Sequence, residues 1–319
     1  MREKFHFTAI KNMVNVMVDI VVLGVFVADV TFRANRMPRV GETVLGRSFS
    51  IGPGGKGSNQ AVAAARQGAD VALITRIGRD DFARLAKATW KDAGVTSAAI
   101  VDDAAPTGAA AIMVDAESGD NAIIVTPGAA GKISAADLEG ARDLIAGAKV
   151  FVTQLEQPIS AARRGLEIAR NAGVTTVLNP APADTLPDDL LALCDYLTPN
   201  ETEAEAMTGF RVVDEASAQK AAHALNARGV GCPLITMGAQ GVYVFEHGMV
   251  PALSAGKVVE TTGAGDAFNA GFCVGLANGL ARLEAVRFGT AVAAISVTRP
   301  GAAASMPTRA EVEALLARN

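Results

Sequence analysis

Along most of the chain, apolar runs of strand length alternate with stretches of helical pattern. Near-continuous apolar segments predict strands at Ile20–Phe26, Val71–Ile77, Lys149–Thr153, Val174–Leu178, Tyr196–Thr198 and Pro233–Met237. Helices are predicted between them, over 57–67, 80–93, 134–147, 160–172, 201–208 and 214–228. Strands apolar on both faces and separated by helices indicate a parallel sheet covered on each side. The expected fold is therefore α/β: a doubly wound, mostly parallel sheet with helices on both faces. The C-terminal part reads as helical over 264–279, 282–297 and 308–318.

Two regions break this rhythm. Residues 29–51 carry short polar strands and turns, and residues 107–126 read as a hairpin of Gly108–Asp115 and Asn121–Thr126. Neither holds a good helix, so together they predict a small β-sheet attached to the main body as a lid over a site. A later hairpin, Gly241–Phe245 with Met249–Leu253, turns at Glu246-His247-Gly248. Residues 1–17 fit no element and read as a loose N-terminal extension, leaving 18–319 as one α/β domain with two lid segments.

Composition narrows the function classes. Half of the 319 residues are hydrophobic, enough for a sizeable core. A net charge of -4 gives no general attraction to nucleic acid or anionic lipid. The apolar run Ile20–Ala28 is too short to span a bilayer. The first residues lack the apolar core of a secretory signal. Cys194, Cys232 and Cys273 form no C-x-x-C pair and read as small core residues of a protein in a reducing cytoplasm. Of the three histidines, His6 lies in the extension, His223 in a helix and His247 in a hairpin turn. None suits a Ser-His-Asp or His-metal centre, so acid–base chemistry falls to carboxylates.

Two glycine loops carry candidate chemistry. In IGPGGKGSNQ (51–60), Gly52, Gly54 and Gly57 fit the dinucleotide pattern G-x-G-x-x-G. That pattern should close the first strand–helix turn, whereas this loop follows the first strand by about 25 residues and contains Pro53. A phosphate loop needs Lys directly after its last Gly, and here Ser58 follows Gly57. What remains is a glycine turn displaying Lys56 and Asn59 at a helix start, either for a hydroxyl-rich ligand or simply as a capped turn. The second loop, TTGAGD (261–266), opens a helix whose free N–H groups make an anion site. A carboxylate there would repel a phosphate. Asp266 fits if it faces a hydroxyl that attacks a phosphoryl group, with Ala264 and Gly265 amides meeting the developing charge. The plainer alternative is a helix cap.

These loops occur in a fixed series: VGETVLG (40–46), GGKGSNQAVAAA (54–65), QLEQP (154–158), LNPAPA (178–183), TPNETEAE (198–205), TMGAQG (236–241), TTGAGDAFNAGF (261–272) and AISVTRPGAAAS (294–305). From about residue 20 to 310 the chain resembles the ribokinase-like family of carbohydrate kinases. The resemblance implies ATP-dependent phosphorylation of the primary hydroxyl of a pentose or similar sugar, with Mg²⁺ and K⁺, in a homodimer. By position, Asp29, Gly55, Lys56, Asn59 and Glu156 would contact the sugar. Asp266 would be the base, with Gly263, Ala264 and Gly265 at the phosphoryl group. Asn200 and Glu203 would act near the phosphates and the Mg²⁺ shell, a spacing that also reads as a helix N-cap. Thr236, Gly238 and Gly241 match the nucleotide-binding turn, and Thr290 the contact to the base.

Two departures from the family pattern stand out. Val27 replaces the usual Asn two residues before the sugar-binding Asp, which favours a sugar lacking one hydroxyl, such as 2-deoxyribose, or one of different stereochemistry. Glu260 replaces an Asp at the start of the monovalent-cation region, whose ligands by position are Glu260, Thr262, Ser296, Arg299, Gly301 and Ser305. Alternatives on the same fold are a nucleoside or sugar-alcohol kinase, or a sugar-binding regulator without turnover.

Overall fold

A computed structural model describes residues 18–318, so the proposed extension 1–17 lies outside the described residues. The chain opens with β1 (Ile20–Leu23), crosses into β2 (Val27–Ala34) and returns through β3 (Ser48–Gly54) to α1 (Lys56–Arg66). Then come β4 (Val71–Ile77), α2 (Asp81–Ala93), β5 (Thr96–Val101) and the hairpin β6 (Thr107–Asp115) and β7 (Asn121–Gly128). Two short helices, α3 (Ala135–Gly140) and α4 (Arg142–Ala146), lead to β8 (Val150–Thr153), α5 (Ile159–Asn171), β9 (Thr175–Leu178) and α6 (Asp188–Leu191). Next are β10 (Tyr196–Leu197), α7 (Glu201–Thr208), α8 (Glu215–Ala227), β11 (Cys232–Thr236) and the hairpin β12 (Val242–Val244) and β13 (Gly248–Val250). Helices α9 (Ala264–Ala277), α10 (Arg282–Ser296) and α11 (Arg309–Leu316) close the chain.

The large sheet has nine strands in the order β13-β12-β11-β10-β9-β8-β1-β4-β5. All pairs are parallel except β11–β12 and β12–β13. Period-two alternation divides its side chains between two apolar layers. Ile20 and Val22 of β1 join the layer holding the alanines of α1, Trp90 of α2 and the core faces of α9 and α10. Val21 and Leu23 join the opposite layer with Leu138, Ile145 and Leu166. A second sheet of four strands, β3-β2-β6-β7, stands apart from the first. It is the small β-sheet expected from residues 29–51 and 107–126.

From β1 the chain moves to β4 and β5 on one side, and later to β8 and onward on the other. The strand order thus reverses between β1 and β8. In open parallel sheets a ligand crevice forms at such a point, beyond the carboxyl ends of the strands.

Several boundaries differ from expectation. The predicted strand Ile20–Phe26 stops at Leu23, and the chain changes sheets across Gly24–Phe26. The edge strand Thr96–Val101 and the short helix Asp188–Leu191 carry no pattern that predicted them. The predicted helix 134–147 is two helices meeting at Ala141, whose ψ of 9° leaves helical geometry. The three cysteines are free and buried. His223 and His247 are exposed. Among the described residues no helix is long and apolar enough to cross a membrane.

Candidate active site

The crevice is built around the start of α1. Gly55, the single residue between β3 and α1, has φ 88°, and a Cβ there would lie 2.6 Å from the Val25 carbonyl oxygen. Two residues on, a Cβ at Gly57 would lie 2.5 Å from the Cα of Gly24, just beyond β1. Only glycines allow this approach, which seats the helix start on the strand reversal. The Lys56 N–H donates to Glu156 Oε2 at 2.8 Å, fastening the loop after β8 to the same point. Asp29, on β2, lies over Gly54: a Cβ on Gly54 would sit 2.3 Å from its Oδ2.

Opposite stands the first turn of α9. Its Asp266 is buried, and its carboxylate accepts from Asn59 Nδ2 at 3.0 Å and Gln60 Nε2 at 3.1 Å. The helix starts at Gly263 (φ 77°) with no side-chain cap. The Ala264 N–H donates to the Thr261 carbonyl at 3.1 Å. The Gly265 and Asp266 amides have no acceptor among the described residues. Gly265 itself is exposed, so it is the open donor at the helix mouth.

Three carboxyl groups therefore share a small, poorly solvated space with one lysine. Burial pushes Asp29 up to about 6. Burial raises Glu156 to about 7; the Lys56 charge and N–H oppose this, and the charges of Asp266 and Asp29 add to it. Asp266 is also raised by burial, against the pull of the Lys56 charge and the amides of Asn59 and Gln60. Asn59 Oδ1 is buried with no donor. An acceptor in that state is a place for a ligand hydroxyl. Asp29, Gly55, Lys56, Asn59, Glu156 and Asp266 are thus brought together as the sequence predicts.

The nucleotide-side residues divide. Asn200 and Glu203 form a reciprocal capping box at the start of α7, with Glu203 N–H to Asn200 Oδ1 at 2.8 Å and Asn200 N–H to Glu203 Oε2 at 2.9 Å. The Glu203 carboxyl is buried and raised by that burial. Asn200 bridges to Thr236 at the end of β11. Gly238 and Gly241 shape the turn that follows, closed by the Met237 N–H to the Gly241 carbonyl at 2.8 Å. Thr290 is buried in α10 and its hydroxyl donates to the Arg287 carbonyl.

In the cation region, Glu260 Oε2 accepts the Gly301 N–H at 2.9 Å, and the Glu260 N–H reaches the Val297 carbonyl at 3.2 Å. The Ser296 and Ser305 hydroxyls donate to carbonyls of their own turns, at Ala293 and Ala302. The Arg299 guanidinium pairs with Glu311, and Thr262 is exposed. Glu260 and Gly301 are thus joined, whereas the Arg299 side chain points elsewhere.

A group of buried polar side chains behind Asp266 escapes sequence reasoning. Gln60 Nε2 also donates to Asn179 Oδ1 at 3.2 Å, and Gln60 Oε1 accepts from Gln154 Nε2 at 2.6 Å. Asn179 Nδ2 donates to the Thr198 carbonyl at 3.2 Å. The Thr198 hydroxyl donates to Asn269 Oδ1 at 2.7 Å, and Asn269 Nδ2 to the Gly265 carbonyl at 2.9 Å. The available signal is that Gln154, Asn179 and Thr198 each follow an apolar strand directly, where buried amides and hydroxyls must find partners.

A carboxylate at an uncapped glycine helix start, with the Lys56 charge and two amides bearing on it, suits phosphoryl transfer to a hydroxyl, the chemistry of a sugar kinase. The chain belongs to the pfkB family of carbohydrate kinases, whose profile matches residues 17–309. Among its relatives, the ribokinase of Haemophilus influenzae is 43% identical over 292 residues, covering 91% of this chain and 95% of that protein. The deoxyribokinase of Salmonella typhi is 32% identical over 305 residues, covering 94% and 99%. The solved structure of Arabidopsis thaliana ribokinase complexed with ribose and ATP matches with a TM-score of 0.86 at 31% identity, covering 94% of this chain and 99% of that one.

Proposed function

We propose that this chain transfers the terminal phosphoryl group of ATP to the primary hydroxyl of a pentose, with Asp266 as the base. The observation that carries this is the buried Asp266 carboxylate at the open helix start, held by Asn59 and Gln60. Its relatives named above are kinases of ribose and deoxyribose. Asp29, Lys56, Asn59 and Glu156 receive the other hydroxyls, since an ionised carboxylate can accept from two neighbours and the unpaired Asn59 Oδ1 needs a donor.

As the new P–O bond forms, the Asp266 carboxylate takes the hydroxyl proton, and the Gly265 N–H faces the charge that develops on the phosphoryl oxygens. Burial makes Asp266 a stronger base than a solvated carboxylate, while Lys56 and the two amides favour its ionised form. The small sheet excludes water, which would otherwise take the phosphoryl group. Glu203 and Asn200 offer hard oxygens beside the site for Mg²⁺, which when bound neutralises phosphate charge. A K⁺ ion is assigned to the turn around Glu260, whose carboxylate is engaged by the Gly301 N–H through Oε2 alone; equal rates in K⁺, Na⁺ and a large organic cation would remove it. The free, buried cysteines agree with a reducing cytoplasm. The exposed apolar side chains of the small sheet support a homodimer.

The deciding variant is Asp266→Asn. It should lower kcat by roughly 10²–10⁴-fold while the sugar Kd, read by calorimetry, stays within a few-fold. Near-normal turnover would overturn the base assignment. An ADP-release screen over pentoses, deoxypentoses, hexoses and nucleosides separates the sugar from its rivals.

A further inference from the structure

We infer that Gln60 is a positioning residue for Asp266: its side-chain amide, locked by Gln154 and Asn179, fixes which way the carboxylate faces. The inference rests on the reading of Asp266 as base, and it adds residues that the family pattern did not assign to the site.

The amide chain starts at a group that cannot turn round. The Thr198 backbone carbonyl can only accept, so the Asn179 amide must present Nδ2 to it. Asn179 Oδ1 is thereby turned toward Gln60, and demands a donor. Gln60 supplies Nε2, and its Oε1 is taken by Gln154 Nε2 at 2.6 Å. With both ends engaged, the second Nε2 proton of Gln60 is left aimed at Asp266 Oδ1, 3.1 Å away. Gln60 and Gln154 are 1% and 0% exposed, so water does not compete for these bonds. Gln154 is itself held over Gly24, where a Cβ would lie 2.3 Å from its Oε1. The Asp266 carboxylate is thus anchored through Oδ1 by a rigid amide chain and through Oδ2 by Asn59, whose other atom faces the proposed sugar.

Two consequences follow. Without the Gln60 bond the carboxylate is free to rotate away from the attacking hydroxyl, which slows transfer without loosening the sugar. Its ionised form also loses a donor, so its proton is held to higher pH. The charged groups that bear on Asp266 are Lys56 from α1, Glu156 from the loop after β8 and Glu203 from α7, with Asp29 acting on Glu156. Because Glu156, raised to about 7, and Asp29, raised to about 6, titrate inside the pH range of the assay, the readout needs a background in which Glu156 is neutral.

The test is Gln60→Met, near-isosteric and without a donor, with Gln154→Met as a milder companion that removes the bond holding Gln60 Oε1 and so loosens the amide. Single-turnover phosphoryl transfer to ribose or 2-deoxyribose is measured by rapid quench across pH 5–8.5, which removes product release from the rate. The expected result for Gln60→Met is a drop of about ten-fold or more at pH 7 and an acid limb moved upward by about one unit. The same displacement should appear in a Glu156→Gln background, and sugar Kd should stay within a few-fold. Gln154→Met should move both quantities in the same direction by less. A fall in rate with an unmoved acid limb, or no change in either, would overturn the inference. If Gln60→Met does not fold, the Gln154→Met limb decides alone. An inactive Asp266→Asn beside an unaffected Gln60→Met removes only this inference; an active Asp266→Asn removes the base and Gln60 with it.

Discussion

At the scale of single residues, Val27 is the proposed determinant of which sugar fits. It lies at the start of β2, two residues before Asp29, so both side chains point to one face of the strand. Its register partners are Gly54 and Gly108, which leave its isopropyl group in an apolar cluster with Ala110. The Val27 side chain itself offers no donor or acceptor to a hydroxyl beside the one proposed for Asp29. Val27→Asn should therefore raise the kcat/KM ratio of ribose over 2-deoxyribose by roughly ten-fold, the worth of one hydrogen bond to a buried group. An unchanged ratio would show that neighbouring groups already serve that hydroxyl. Lys56, Asn59 and Asp266 are visible in glycine loops whose chemistry is local, whereas Val27, Asp29 and Glu156 are reached only through the family resemblance. Gln60 is reached by neither route. Its bond to Asp266 spans 206 residues of sequence, and its orientation is set by Asn179, 119 residues away. Nothing in the neighbouring letters encodes such a partner.

Among the elements, α1 carries the most. Its first turn holds Lys56, Asn59 and Gln60. Its end is clamped by Arg66 Nη1 to the Ala303 and Met306 carbonyls at 2.9 Å, and by Gln67 Nε2 to the Pro307 carbonyl at 2.6 Å. Gly57→Ala would place a methyl 2.5 Å from the Gly24 Cα, where both neighbours are backbone. The helix must then retreat from β1. The expected result is a loss of about 1–3 kcal/mol of unfolding free energy, read by denaturant titration, and a raised KM for the sugar; wild-type values of both would show that the contact has slack. The helix itself was legible from its apolar period. The end of β1 was not, because IVVLGVFVA is one apolar run and the change of sheet falls inside it at Gly24. Strand β5 escaped for another reason: Thr96–Ala99 has little strand character, and pairing with β4 at the sheet edge supplies what propensity lacks. The break at Ala141 follows Gly140, a weak helix former that a period count tolerates.

On the scale of the whole molecule, the small sheet leaves apolar surface uncovered. Phe49 and Ile124 are 67% and 66% exposed, and Phe32 stacks on Phe49 at 6.1 Å between ring centres. Its outer strands β3 and β7 present open edges. Sedimentation should find a dimer of the wild-type chain at micromolar concentration, and Phe49→Glu with Ile124→Glu should return a monomer. A wild-type monomer would reject the pairing. Four short segments join the two sheets: Gly24–Phe26 between β1 and β2, Gly55 between β3 and α1, residues 102–106 between β5 and β6, and residues 129–134 between β7 and α3. Asp29 belongs to one body, and Lys56 and Asp266 to the other. Any guest gripped by all three, as proposed, spans both sheets, so the same contacts that seat it would draw the cover over it. On that proposal discrimination and closure are one event, and a guest that misses Asp29 leaves the chamber ajar however well it suits the floor.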